Sequence, residues 1–180
     1  MAEQISDYQA LSPLYTTEQL QSKVKELGEA ISRDYAGEEL LLVSILKGSF
    51  IFMADLCRAI HGVKVAIDFM AVSSYGDKTQ TSGVVRIVKD LSSTVKERHV
   101  LIIEDILDSG VTLRYLLKYI GARGPLSLDV CTLLRKKDRQ LAKIEARYVG
   151  FDCPDQFIVG YGLDYAEQYR NLPYIGILGK

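Results

Sequence analysis

Residues 99–112, running His-Val-Leu-Ile-Ile-Glu-Asp-Ile-Leu-Asp-Ser-Gly-Val-Thr, restrict the possible folds of this chain more than any other stretch. Val100 to Ile103 is a short, unbroken apolar run, the pattern of a strand buried on both faces in a parallel sheet. It ends in two adjacent carboxylates, Glu104 and Asp105, and a third, Asp108, follows. Ser109, Gly110 and Thr112 then open a helical pattern. In open α/β sheets, ligands bind outside the carboxyl ends of the strands. Free N–H groups at a helix start cradle phosphate, and carboxylates beside them hold a metal ion or sugar hydroxyls. The stretch therefore predicts a ligand with a ribose and a phosphate. Its plain alternative is an acidic strand end before a Ser-Gly helix start that binds nothing.

The rest of the chain supplies the layers that such a strand needs. Thr16 and Gln19 form a capping box, and Leu20, Val24, Leu27 and Ile31 repeat at helical spacing, predicting an amphipathic helix over 17–35. Apolar strands are expected at 40–46, 63–72 and 126–134, with helices over 50–60, capped by Ser49, and over 111–120. The polar residues 76–83 separate strand 63–72 from strand 84–88 and predict a long hairpin. Short strands follow at 148–151, 157–161 and 174–178. Residues 1–15, broken by Ser12-Pro13, read as an arm or an edge element. Alternating strands and helices imply an α/β fold: a parallel-dominated central sheet flanked by helices, with right-handed crossovers. A length of 180 residues suits a single domain, in which the N-terminal arm and the last third form a small hood subdomain.

Composition excludes several classes. A net charge of −1 and a pI near 6.1 argue against a general nucleic-acid binder. Three widely spaced cysteines make neither a zinc-finger spacing nor a disulfide framework, and fit reduced thiols in the cytoplasm. No apolar run approaches the roughly 18 residues of a membrane span, and residues 1–15 lack the pattern of a signal peptide.

Other segments carry candidate chemistry. Lys47-Gly48 ends a strand: the glycine admits close backbone approach and the lysine is a cation for phosphate, or the pair is a surface turn. Ser73-Ser74-Tyr75-Gly76 onward is a lid or a plain hairpin tip. Arg135-Lys136-Lys137-Asp138-Arg139 is a donor site or a solvated loop. Phe157 precedes a strand, where an aromatic is commonly core. Gly160-Tyr161-Gly162 is no dinucleotide fingerprint, since no third glycine stands at Tyr165. Arg170 precedes a turn at Asn171-Leu172-Pro173. His61 and His99 lack a partner at metal-ligand spacing.

Glu104-Asp105-Ile106-Leu107-Asp108-Ser109-Gly110-Val111-Thr112 resembles the phosphoribosyl-pyrophosphate (PRPP) motif of the type I phosphoribosyltransferases. Five ordered segments, spread over about residues 16–176, resemble the purine-specific members of that family. The resemblance implies transfer of the 5-phosphoribosyl group from PRPP to a 6-oxopurine, hypoxanthine or guanine, with release of pyrophosphate. It implies Mg²⁺ as cofactor, a homodimer or homotetramer, and neither nucleic acid nor membrane as partner. Glu104 and Asp105 would hold the ribose hydroxyls through or beside the metal. Asp108, Ser109, Gly110, Val111 and Thr112 would wrap the 5′-phosphate. Asp108 would also serve as catalytic base or acid at purine N7. Lys47, Gly48 and Arg170 match the pyrophosphate site, where the family often has a cis peptide before the lysine. Lys136, with Lys137 as competing candidate, would donate to O6 and select an oxo over an amino group. Phe157 would stack on the base and the Ile158 backbone would meet its edge. Asp164 would hold the metal or the N2/N3 side of the base. Ser74 and Tyr75 match the start of the catalytic flexible loop. The chain departs from the pattern in two places: Val111 stands where some members have lysine, and Arg135-Lys136-Lys137 replaces Lys-Pro or Lys-Arg. A nucleic-acid-binding regulator of the same fold would need a basic face, and a pyrimidine or 6-aminopurine enzyme would conflict with Lys136 and Phe157.

Overall fold

The computed structural model describes residues 11–74, 85–139, 141 and 144–179. From the N-terminal side the elements are β1 (Ser12–Tyr15), α1 (Thr17–Asp34), β2 (Glu39–Leu46), α2 (Phe50–Ala59), β3 (Lys64–Ser74) and β4 (Val85–Lys89). After these come β5 (His99–Leu107), α3 (Val111–Gly121), β6 (Ser127–Arg135), β7 (Tyr148–Asp152), β8 (Ile158–Val159) and β9 (Ile175–Ile177). Among the described residues, six strands form the main sheet in the order β4-β3-β2-β5-β6-β7. All neighbours are parallel except the β3–β4 hairpin at one edge.

The central strands alternate between two cores. Leu40, Leu42, Leu101 and Ile103 pack with Leu20, Val24, Leu27 and Ile31 of α1 and Phe52 and Leu56 of α2. Leu41, Val43, Val100 and Ile102 face the other way, against Leu113, Leu116 and Ile120 of α3. Period-2 alternation in a strand covered on both faces demands apolar residues at every position, so these strands read as continuous runs. The capping box of α1 is present in full, with Gln19 N donating to the Thr16 hydroxyl and Thr16 N to the Gln19 amide oxygen. Where α1 crosses α2, Gly28 lies so close to Ala59 that a β-carbon would sit 2.5 Å from the Ala59 carbonyl oxygen.

Three expectations need correction. Ser49 does not cap α2. Its backbone is already helical (φ −81°, ψ −3°), and its hydroxyl donates to the Ile45 carbonyl at 2.7 Å while bonded to Ser44 Oγ at 2.7 Å. With the one Ser49 proton spent, Ser44 is the donor of that second bond, and both buried hydroxyls are satisfied. Ser12-Pro13 is not a break but part of β1, an edge strand beside β9 with a register irregularity between Pro13 and Tyr15. Edge strands and bulges are where a residue without an N–H is tolerated. The strand expected at 157–161 shortens to β8, because Gly160, Tyr161 and Gly162 all take positive φ (+99°, +50° and +103°) and leave the extended region.

β1, β9 and β8 make a separate three-stranded sheet, built from the arm and the last third of the chain. Residues 76–83 of the expected hairpin, and Tyr75, lie outside the described residues; Ser74 ends β3, opposite Val85. Among the described residues, no helix is long and apolar enough to cross a membrane.

Candidate active site

Strand order reverses between β2 and β5. The chain leaves β2 for β3 on one side, whereas β5 lies on the other, and such a switch point opens a crevice at the carboxyl ends of the two strands. Lys47-Gly48 and Glu104-Asp105 meet at that crevice. The Leu46–Lys47 peptide is cis. Gly48 touches Asp105 directly: a β-carbon there would lie 1.6 Å from Asp105 Oδ2. Gly162 presses on Gly48 from above, its own missing β-carbon 2.1 Å from the Gly48 carbonyl oxygen.

Successive strand residues point to opposite faces, and this separates the two acids. Glu104 lines a pocket with Asp108, Ser109, Gly110 and Thr112 on the α3 side. Asp105 faces Gly48 and receives the Ile106 N–H at 2.7 Å. Gly110 supplies the left-handed turn (φ +75°) that starts α3, and Val111 N donates to Ser109 Oγ at 3.4 Å. This loop puts a helix N-terminus with its positive dipole end at the pocket. Burial raises the Glu104 carboxyl well above its ordinary range, reinforced by the Asp105 charge. Burial also lifts Asp105 to about 6, with Asp164 adding to the rise and Arg170 opposing it. Both acids are thus held where a positive group would be most strongly welcomed.

On the Asp105 side the structure gathers Lys47, Gly48, Asp164, Glu167 and Arg170. Arg170 Nη1 donates to the Gly162 carbonyl at 2.7 Å, and Nη2 pairs with Asp164 Oδ1 at 2.8 Å and reaches Glu167 Oε1 at 3.5 Å. Its Nε is buried and, among the described residues, has no hydrogen-bond partner. Lys47 Nζ pairs with Glu167 Oε2 at 2.8 Å. Asp164 therefore stands with Arg170 and not in the pocket of Lys136 and Phe157. The positive-φ turn at 160–162 is the reason, since it carries the chain from β8 back over Gly48. Among the described residues, no three His, Cys, Asp or Glu side chains converge on a metal site, so Glu104, Asp105 and Asp164 are no preformed cage. The arrangement suits Mg²⁺ nonetheless, because that ion is held by one or two carboxylates with substrate phosphates and waters. The Asp164 charge lies close enough to Asp105 to raise the proton affinity of the Asp105 carboxyl.

A third group lies beyond β6. Lys136, only 8% exposed, donates to the Gln156 carbonyl at 3.0 Å and to Asp155 Oδ1 at 3.3 Å. It lines a pocket with Arg139, Asp155, Gln156, Phe157 and residues 177–179. Lys137 points elsewhere, to Asp152 at 2.7 Å. The Phe157 ring is half exposed and meets Tyr165 edge-on at 5.4 Å between centroids. Ile158 is buried in β8, opposite Ile177. Arg139 joins this pocket to the α3 loop, with Nε 3.4 Å from Asp108 Oδ1 and Nη1 3.2 Å from Asp155 Oδ1. Leu141 N also donates to the Ser109 carbonyl at 3.1 Å. Sequence reading missed Arg139, Asp155, Gln156, Glu167 and residues 177–179. Polar residues outside helices and strands carry no periodicity, and 177–179 read only as the end of a short strand, so only the run of charges at 135–139 hinted at one of them.

The phosphoribosyl transferase domain family matches residues 11–166. A hypoxanthine-guanine phosphoribosyltransferase of Mycobacterium tuberculosis is 54% identical, over 93% of this chain and 85% of that protein. One of Dictyostelium discoideum is 49% identical, over 92% of this chain and 93% of its own length. A solved hypoxanthine phosphoribosyltransferase of Staphylococcus aureus superposes with a TM-score of 0.92 at 50% identity, covering 96% of this chain and 94% of its own. The chain belongs to the phosphoribosyl transferase domain family, and within it to the group of the hypoxanthine-guanine phosphoribosyltransferases.

Proposed function

We propose that this protein is a purine-salvage enzyme that transfers the 5-phosphoribosyl group of PRPP to hypoxanthine and guanine, giving the nucleoside 5′-monophosphate and pyrophosphate. The observation that carries the reading is the buried Lys136 ammonium beside the Phe157 ring, joined through Arg139 to Asp108 at the start of the α3 loop. A planar base that stacks on Phe157 and accepts from Lys136 would have its ring nitrogens directed at that loop.

In the reaction a purine nitrogen bonds to ribose C1′ as the bond from C1′ to the pyrophosphate oxygen breaks. The sugar passes through an oxocarbenium-like state, and negative charge grows on the departing group. The 5′-phosphate would sit on the N–H groups and hydroxyls of residues 108–112, with Glu104 at the ribose. Lys47 and Arg170 would stabilise the leaving charge, most effectively in a site shielded from water. Asp108 would hold or accept a proton at N7 of the purine. Mg²⁺, held by Asp105 and Asp164 with the substrate's own oxygens, would screen pyrophosphate charge and orient the ribose. Ser74 and Tyr75 would begin the segment that covers the site and excludes water.

A homodimer or homotetramer fits the apolar face on which Phe50 and Ile67 are 43% and 44% exposed beside Met53 and Phe69. The free cysteines Cys57, Cys131 and Cys153 suit the reducing cytoplasm. The decisive experiment is a panel of hypoxanthine, guanine, xanthine, adenine and uracil with PRPP and Mg²⁺. Turnover of hypoxanthine and guanine is expected. Turnover of adenine or uracil alone would refute the assignment of Lys136.

A further inference from the structure

Both cations assigned to pyrophosphate already hold a carboxylate. Glu167 Oε2 lies 2.8 Å from Lys47 Nζ and its Oε1 lies 3.5 Å from Arg170 Nη2. One side chain thus spans the two positive groups with one oxygen each, as a phosphate oxyanion would. The backbone that presents it is unusual. Ala166 and Glu167 have φ of +50° and +66°, and Tyr165 and Gln168 exchange hydrogen bonds of 3.2 and 3.0 Å around them. This is the pairing of a two-residue hairpin turn whose central positions favour glycine, asparagine or aspartate. A glutamate there sits where its backbone is disfavoured. The turn is fixed by the Glu167 N–H, which donates to Asp164 Oδ2 at 2.8 Å. The pair with Lys47 is about two-thirds exposed on each side, so it is readily exchanged for a stronger anion.

We propose that Glu167 is an internal competitor of pyrophosphate: its carboxylate holds Lys47 and Arg170 and surrenders both when a pyrophosphate group takes them over. This rests on the reading of Lys47 and Arg170 given above. Pyrophosphate carries more charge and more acceptors than one carboxylate, so it wins the exchange. Glu167 lowers its net affinity and reclaims the cations as it leaves. The residue thereby favours release of the product from a site built to stabilise that product's charge.

The test is calorimetric titration of pyrophosphate, at fixed Mg²⁺, into the unaltered protein and into Glu167→Gln. Glutamine keeps the size and the backbone constraint and removes only the charge. Loss of exposed pairs of this kind corresponds to about two- to fivefold in an equilibrium constant, so Glu167→Gln should bind pyrophosphate about two- to fivefold more tightly. Glu167→Asn, better suited to positive φ, should give the same gain and serves if the glutamine variant is unstable. Equal or weaker binding by both variants overturns the proposal and leaves the pyrophosphate reading of Lys47 and Arg170 standing. Failure of the unaltered protein and both variants to bind pyrophosphate overturns that reading, and the proposal with it.

Discussion

Replacing Gly48 with alanine adds one methyl group at the tightest point of the site. That carbon would lie 1.6 Å from Asp105 Oδ2 and 2.6 Å from its Cγ, where ordinary contact begins at 3.4 Å. About 1.8 Å of relative movement is needed to relieve the overlap. The loop has little room to retreat, because the Gly48 carbonyl is itself covered by Gly162. Asp105 must swing instead, and a displacement of about 1 Å in a reacting geometry is enough to cost about 100-fold in rate. We therefore expect Gly48→Ala to lower kcat/KM for PRPP by about 100-fold or more with only a small change in melting temperature, because Asp105 lies at the rim of the core. A double-mutant cycle with Asp105→Gly isolates the cause. If the clash is responsible, Gly48→Ala should cost far less in the Asp105→Gly background than alone. Additive losses, or an unimpaired single variant, would refute the steric argument.

Gly28→Ala should destabilise the fold by about 1–3 kcal/mol, since its methyl would press on the Ala59 backbone where α1 crosses α2; urea denaturation measures this. Lys136→Met removes a charged donor and leaves Asp155 and the Gln156 carbonyl without it. Hypoxanthine turnover should fall by about 10- to 150-fold, the range for a hydrogen bond to a charged group, while KM for PRPP stays near its starting value. Asp108→Asn should depress the chemical step in single-turnover assays and leave nucleotide binding largely intact, and unchanged turnover removes Asp108 from proton transfer. Hydrogen bonds from Arg123 and Tyr119 hold the Asp90 carboxyl down at about 2. A carboxyl lowered in the folded state stabilises above its unfolded value near 3.9 and loses that contribution as pH falls toward 2. Denaturation midpoints of the unaltered protein and Asp90→Asn should thus differ at pH 6 and converge near pH 2.

The central sheet was readable because burial on both faces leaves its mark along the middle of β2, β5 and β6, at 40–45, 100–103 and 130–134. The strand end and helix start at 104–112 were readable because their pattern lies in consecutive residues. The hood was legible as an arm joined to the last third of the chain, but its strand pairing was not. β1 and β9 are paired across most of the chain, Ser12 with Ile177, and nothing local to either strand encodes that register. Glu104 and Asp105 looked like one unit in sequence, yet strand alternation sends them to different halves of the site. Asp155 and Arg139 were missed for a related reason: their partners, Lys136 and Asp108, come from other segments. Lys136 and Lys137 differ by one position, and the fold distinguishes them: Lys136 is buried against the Gln156 carbonyl and Asp155, whereas Lys137 is exposed and pairs with Asp152.

Gly162, Gly48 and Asp105 form a column in which each layer is limited by the next: main chain on main chain, then main chain on carboxylate. Sequence variation at these three sites is therefore coupled. Gly162 is confined twice, by its φ of +103° and by the Gly48 carbonyl below it; Gly48 is confined by the acid beneath. A library randomised at all three positions and selected for activity should recover far fewer combinations than its single-site tolerances allow. Relaxation would have to begin at the Asp105 end, where the side chain has a direction to move.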